Sequence, residues 1–227
     1  MQQQTHSQVK VSCVSVTKCG NFGVLGYCSG AITKFNMQSG KERGVFALDG
    51  KKTMSGQSLH TAEITGLGVD ILNRVLVSSS KDRTVKLWDF YRCKLLKTYT
   101  YDFPINNMCY NPTNDLVAFS AKDLSMTILN PQASLKRVRY FENAAENQIN
   151  DVCFSQPESK WLLNCSMDGC IRVWDIVTGA LVDWIKFKHA PLSLDFSPSG
   201  EFIATAHVNQ KAVYLWSNKA FFQQVVI

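Results

Sequence analysis

No stretch of this 227-residue chain approaches the roughly 18 apolar residues that a bilayer-spanning helix needs. The first eight residues, MQQQTHSQ, are polar, and no apolar segment of the kind found in secretory signals follows them. Together these absences predict a soluble intracellular protein that engages no membrane. There is no CxxC, and only four histidines are present. The closest cysteine pair, Cys165 and Cys170, straddles a predicted turn with no histidine beside it. A structural zinc site needs four convergent ligands, so no metal is expected. A glycine-rich phosphate loop is also missing, as are paired catalytic carboxylates in a recognisable context, so neither a cofactor nor a small-molecule substrate is expected. Charge of one sign is scarce: 24 Lys and Arg against 18 Asp and Glu leave a net charge of +6. Such a surplus permits an acidic partner such as RNA without demanding one. Finally, no segment sustains a 3.6-residue apolar period, which leaves an all-β reading.

What is present fits a globular chain, with 45% apolar residues against 19% charged. The eight cysteines read as reduced thiols. Cys13, Cys109 and Cys153 fall in apolar strand-like runs, where a thiol behaves as a small hydrophobe. One N-x-S sequon, Asn164-Cys165-Ser166, falls on a predicted buried strand and is expected to carry no sugar.

The organising feature is an internal repeat. KDRTVKLWDFYRCKLLKTY (81–99) and MDGCIRVWDIVTGALVDWIKF (167–187) are close copies, each with an Asp six residues before a Trp and another Asp just after it. Weaker copies anchored on Phe35, Leu129 and Trp216 join Trp88 and Trp174. Their separations are 53, 41, 45 and 42 residues, the long first interval containing LDGKKTMSGQS, read as an exposed loop insertion at 48–58. Each unit carries a strand, a turn, a second apolar strand, an Asp-bearing turn, the anchor strand and a fourth strand. The units run approximately 9–46, 60–100, 103–141, 148–187 and 189–227. A period of roughly 40–45 residues with this signature is that of a WD40 propeller blade.

The second unit resembles the WD40 family in detail through His60, Ser78, Asp82 and Trp88. In that family a His, a Ser, an Asp and a Trp at these spacings form one hydrogen-bonded chain. The chemistry is sensible, because a buried indole N–H is donor-only and needs an acceptor. A hydrolase reading of the Ser, His and Asp fails: Ser78 lies inside an apolar strand, and no G-x-S-x-G elbow presents it. Asp123 and Asp168 keep the turn carboxylate in other units, Asn209 stands in for it in the fifth, and Ser29 occupies that position in the first. His189 is slightly out of register with His60.

Family precedent implies a ring, usually of seven blades, completed by segments of a longer parent. A closed five-bladed ring is the alternative. Lys81, Arg83, Lys122 and Arg172 are expected on turns of one rim, either as an anion-binding patch or as ordinary solvated charge. Lys136, Arg137 and Arg139 flank Tyr140 and Phe141, either as a nucleic-acid contact or as a strand with exposed charges.

Beyond the repeat, SSSKDRTVKLWDFYRCKLL (78–96) and SPSGEFIATAHVNQKAVYLWSNKAFF (197–222) resemble the second propeller of the WD-repeat scaffolds associated with the U3 small nucleolar ribonucleoprotein of the small-subunit processome. That resemblance implies a nucleolar, non-catalytic scaffold supporting pre-rRNA processing and 18S rRNA maturation. Its partners would be protein subunits of a ribosome-assembly complex, with contact to pre-rRNA or U3 RNA left open as direct or indirect. A generic WD40 interaction adaptor in another intracellular pathway is the alternative.

Overall fold

The computed structural model describes residues 10–47 and 60–217. The insertion at 48–58 and the apolar tail at 221–227 lie outside the described residues. Among the described residues, nineteen strands form five antiparallel sheets and no helix occurs. The chain divides into two compact units, residues 1–101 and 102–227.

The first unit holds two sheets. Sheet one is β1 (Val11–Val16), β2 (Phe22–Tyr27), β3 (Ile32–Asn36) and β4 (Glu42–Val45). Sheet two is β5 (Ile64–Val69), β6 (Val75–Ser80), β7 (Thr84–Asp89) and β8 (Lys94–Thr100). Their shared core gathers Val24, Ile32 and Phe46 from the first against Ile64, Leu76, Trp88 and Phe90 from the second. In β5, ITGLGV alternates buried and half-buried positions, the period-2 pattern of a strand with one packed face. By contrast β6, VLVSSS, is buried along almost its whole length, so its side chains find cover on both faces. Three consecutive buried serines are tolerable there because each hydroxyl has a partner. Ser78 meets His60 and Trp88, Ser79 meets Thr65 at 2.9 Å, and Ser80 donates to the Ala62 carbonyl at 3.0 Å.

The second unit holds three sheets. Sheet three is β9 (Ile105–Asn111), β10 (Leu116–Ala121), β11 (Met126–Asn130) and β12 (Lys136–Phe141). Sheet four is β13 (Ile149–Phe154), β14 (Trp161–Ser166), β15 (Cys170–Asp175) and β16 (Leu181–Lys186). Sheet five is β17 (Pro191–Phe196), β18 (Phe202–His207) and β19 (Val213–Ser217). Met126, Ile128 and Phe141 pack against Ile149, Val152, Leu162 and Ile176 to join sheets three and four. Cys153, Leu163, Cys165 and Ile171 pack against Leu194 to join sheets four and five.

Two irregularities recur and give the sheets a common shape. The pairing of each first strand with its second slips by one residue near the start, for instance between Ile64 and Gly66 and between Ile149 and Asp151. A second slip occurs at the anchor position of the third strand, at Phe35, Trp88, Leu129 and Trp174. Such bulges bend a strand and raise its local twist. A phenylalanine just past or ending the fourth strand then meets the next sheet's tryptophan. Phe46 lies 5.8 Å from Trp88, Phe141 5.4 Å from Trp174, and Phe187 5.4 Å from Trp216, ring centre to ring centre.

Candidate functional site

The polar constellation of the second unit is assembled from four places along the chain. Ser78 comes from β6, Trp88 from β7, and His60 and Asp82 from the segment before β5 and the β6–β7 turn. The Trp88 indole N–H donates to Ser78 Oγ at 2.8 Å, and Ser78 Oγ lies 2.8 Å from His60 Nε2. His60 Nδ1 in turn lies 2.8 Å from Asp82 Oδ2. All of Trp88, Ser78 and His60 are at most 1% exposed. Directions follow from the acceptor at the end: an ionised carboxylate only accepts, so Nδ1–H donates to Asp82 and Nε2 receives the Ser78 hydroxyl. Burial holds the imidazole below its ordinary pKa, against the pull of Asp82, and so favours this neutral form. Burial alone would raise the Asp82 carboxyl, but the His60 contact, the Thr84 hydroxyl and the Thr61 amide outweigh it and bring the pKa down to about 2. Asp82 also accepts from the backbone N–H groups of Thr61 and Thr84, at 3.0 and 2.9 Å. It thereby ties the segment entering the sheet to the β6–β7 turn.

The same positional rule explains the other sheets. The acceptor stands two residues beyond the strand partner of the tryptophan: Leu76 pairs with Trp88, and Ser78 follows. In sheet four Leu162 pairs with Trp174, and Asn164 Oδ1 accepts the indole N–H at 2.8 Å. Asn164 Nδ2 donates to the Ala144 carbonyl at 3.3 Å, so the sequon asparagine is fully buried with both ends of its amide engaged. In sheet five Ile203 pairs with Trp216, and Thr205 Oγ1 accepts at 2.9 Å. Thr205 passes the chain to His207 Nε2 at 2.9 Å, and His207 Nδ1–H ends it on the His189 carbonyl at 2.9 Å. In sheets one and three the anchor is apolar, and so is the acceptor position: Leu25 with Phe35, and Phe119 with Leu129. A donor and its acceptor are thus kept or lost together, which avoids an orphaned buried group.

Asn164, Thr205 and His207 were missed in the sequence, although the ten- or eleven-residue offset from the tryptophan points to the first two. His207 replaces the imidazole expected of His189, which contributes only its backbone carbonyl. Asn209 lies in the turn with a left-handed backbone (φ 59°), and the fifth chain ends on His189, not on Asn209.

Asp168 repeats the backbone work of Asp82, accepting from Glu146 N at 3.1 Å and Cys170 N at 2.8 Å. Ala145 stands where the imidazole would be, and Arg172 Nη1 pairs with Asp168 Oδ2 at 2.7 Å instead. Burial would raise the Asp168 carboxyl, but Arg172 and the backbone donors leave it lowered. Asp123 accepts from the Ser125 hydroxyl at 2.7 Å.

The expected basic rim needs a correction. Arg172 lies within β15, not in a turn, and its side chain is only 12% exposed between Asp168 and Glu146. Lys81 is paired with Glu63. Arg83 and Lys122 are exposed, one on the β6–β7 turn and one on the β10–β11 turn. The basic run at 136–139 lies in β12, an outer strand. There Arg139 Nε donates to the Ile176 carbonyl at 3.0 Å and its Nη2 to that of Val177, fastening sheet three to the β15–β16 connection. Among the described residues no group of three or more His, Cys, Asp or Glu side chains converges as a metal site. No described helix is long and apolar enough to cross a membrane.

The protein-family model for the WDR36/Utp21 second beta-propeller domain matches residues 1–227. The human WD repeat-containing protein 36 is 34% identical over 217 residues, covering 96% of this chain and 23% of that protein. The Saccharomyces cerevisiae U3 small nucleolar RNA-associated protein 21 is 35% identical over 215 residues, 95% of this chain and 21% of that protein. Its Schizosaccharomyces pombe homolog is 35% identical over 221 residues, 97% of this chain and 23% of that protein. The chain therefore spans less than a quarter of the length of these relatives. A repeated four-stranded all-β organisation with Trp-centred polar chains, matched from end to end by one domain model, places this chain in the WDR36/Utp21 second β-propeller family.

Proposed function

We propose that this chain is a non-catalytic scaffold module of a small-subunit processome subunit, holding other protein subunits in place during pre-rRNA processing and 18S rRNA maturation in the nucleolus. The observation that carries the reading is the match of the whole chain to one propeller domain shared with a U3 small nucleolar RNA-associated protein. The site chemistry supports it. A Ser nucleophile must be exposed beside its base, whereas Ser78 is 0% exposed and spends its hydroxyl between an indole and an imidazole. Exposed turn residues are available to partners in each unit, Arg83 in the first and Lys122 in the second. Protein surfaces are the first partners in this reading, with RNA reached through them.

Affinity purification of the tagged chain from nuclear extract, with and without RNase, tests the proposal. Ribosome-assembly factors should co-purify in both conditions. Their loss after RNase would replace protein contact with RNA tethering. Their absence from a folded sample in both conditions would leave a generic interaction adaptor as the function.

A further inference from the structure

Four aromatic side chains of the second compact unit close a circuit against sheet five. Phe187 lies 5.0 Å from His207 and 5.4 Å from Trp216, ring centre to ring centre. Tyr214 completes it, 5.3 Å from His207 and 6.4 Å from Trp216. Together with Lys188, His189 and Gln210 the rings line a cavity of about 160 Å³. Solvent reaches them: Tyr214 is 40% and Trp216 44% exposed, whereas Trp88 at the same position of sheet two is 1% exposed. Hydrogen bonds hold the circuit in place. Trp216 donates to Thr205, His207 lies between Thr205 and the His189 carbonyl, and the Tyr214 hydroxyl donates to Gln210 Oε1 at 3.3 Å. Thr205 accepts from the indole and gives its own proton to His207 Nε2, while Nδ1–H goes to a carbonyl. That pattern calls for an uncharged imidazole, so His207 brings a ring face and no charge.

Sheets two and four fill the place of Tyr214 differently. Opposite the residue that accepts the indole hydrogen bond stand Lys86 in sheet two, facing Ser78, and Arg172 in sheet four, facing Asn164; in sheet five Tyr214 faces Thr205. The two cations each answer a carboxylate, Arg172 paired with Asp168 and Lys86 within the field of Asp82. In sheet five Asn209 replaces the carboxylate and Tyr214 the cation. A ring face is thus added where the other tryptophan-anchored sheets carry their own positive charge. We propose that this circuit binds a methylated ammonium group. Aromatic faces are electron-rich and attract a cation that comes within about 6 Å of their centres. Among the described residues no carboxylate lines the cavity. A plain lysine ammonium, with three strongly hydrated N–H donors, would therefore lose its water there without gaining acceptors. Methylation removes those donors and keeps the charge, which is the part the rings attract. This binding is independent of the scaffold role proposed above.

NMR titration of the full chain with acetylated trimethyllysine amide tests this, read at the Trp216 indole proton, with the Trp174 indole as the internal control of folding. The expected result is a saturable shift of Trp216. The unmethylated lysine amide and the uncharged isostere, in which a carbon replaces the ammonium nitrogen, should each bind about tenfold more weakly or worse. Tyr214→Ala removes one ring without touching the Trp216–Thr205 hydrogen bond, and should weaken binding about fivefold or more while Trp174 stays unchanged. Lys188→Gln, which removes a competing positive charge from the lining, should tighten it. Choline carries the same head on a different stem. Tighter binding of trimethyllysine assigns the site to a modified lysine, and tighter binding of choline assigns it to a small quaternary amine. Equal binding of the uncharged isostere overturns the proposal, because the cavity would then be selecting apolar bulk and not charge. So does a Trp216 signal that none of the methylated ammonium compounds moves, or a Tyr214→Ala variant that binds as tightly as the unmodified chain.

Discussion

Replacing Ser78 by alanine removes one oxygen and leaves two buried groups without their partner. The Trp88 indole N–H and His60 Nε2 both rest on Ser78 Oγ at 2.8 Å, and the three residues are at most 1% exposed. Each buried polar group left unsatisfied costs about 1–3 kcal/mol, so Ser78→Ala should destabilise the fold by about 2–6 kcal/mol. Against a domain stability of about 5–15 kcal/mol that is a large fraction. Urea unfolding of the single variant measures it. Trp88→Phe removes the orphaned donor, so in a double-mutant cycle the pair should be less damaging than the sum by about 0.5–3 kcal/mol. Sheet three shows that the apolar combination packs, with Phe119 and Leu129 fully buried in the same two positions. A Ser78→Ala cost below about 0.5 kcal/mol, additive with Trp88→Phe, would mean that the oxygen satisfies nothing.

Acid should weaken the fold in two stages. The folded His60 pKa is below its ordinary 6.5, so the unfolded chain takes up a proton first and stability falls as pH drops below 6.5. Asp82, at about 2 when folded against 3.8 otherwise, adds a further loss between those values. Thermal melts of wild type and Asp82→Asn across this range should converge toward low pH; parallel curves would count against the linkage. Gly30→Ala should destabilise the first unit by more than about 1 kcal/mol, since Gly30 has φ +85° and a methyl group there would clash with the His60 carbonyl oxygen. An unchanged melting temperature would contradict that close approach. In a thiol-titration experiment on native protein, Cys19 should react first. It is exposed, and hydrogen bonds from Thr17, the Asn21 backbone and Asn73 lower its pKa. Cys109 and Cys165, pushed by burial to about 12 and well above the ordinary range respectively, should wait for unfolding, and their rapid labelling would mean the core is open.

The strand plan was legible because period-2 patterning and the tryptophan spacing are local properties of the sequence. So was the complete chain of sheet two, where every member is the expected residue type. The equivalent chains of sheets four and five were hidden by chemical substitution. Asn164 and Thr205 accept a hydrogen bond as well as serine does, but they are read as a sequon and a β-former until the strand register is known. His207 was overlooked because an imidazole reaches the same point from the end of β18 as from the segment before the first strand. Arg172 misled for the opposite reason. Its charge suggests solvent, while the four-residue spacing that lets it cover Asp168 is visible only once the β14–β15 turn is folded. The bulges were invisible too, since no residue type marks them.

The His60, Ser78, Asp82 and Trp88 side chains form one continuous hydrogen-bonded chain through sheet two. Long-range proton–nitrogen NMR of His60 between pH 8 and 5 tests it most directly. The expected result is a neutral imidazole protonated at Nδ1, persisting below the ordinary pKa of 6.5, with a slowly exchanging Trp88 indole proton. Titration at or above 6.5, with the proton on Nε2 and a freely exchanging indole, would contradict it.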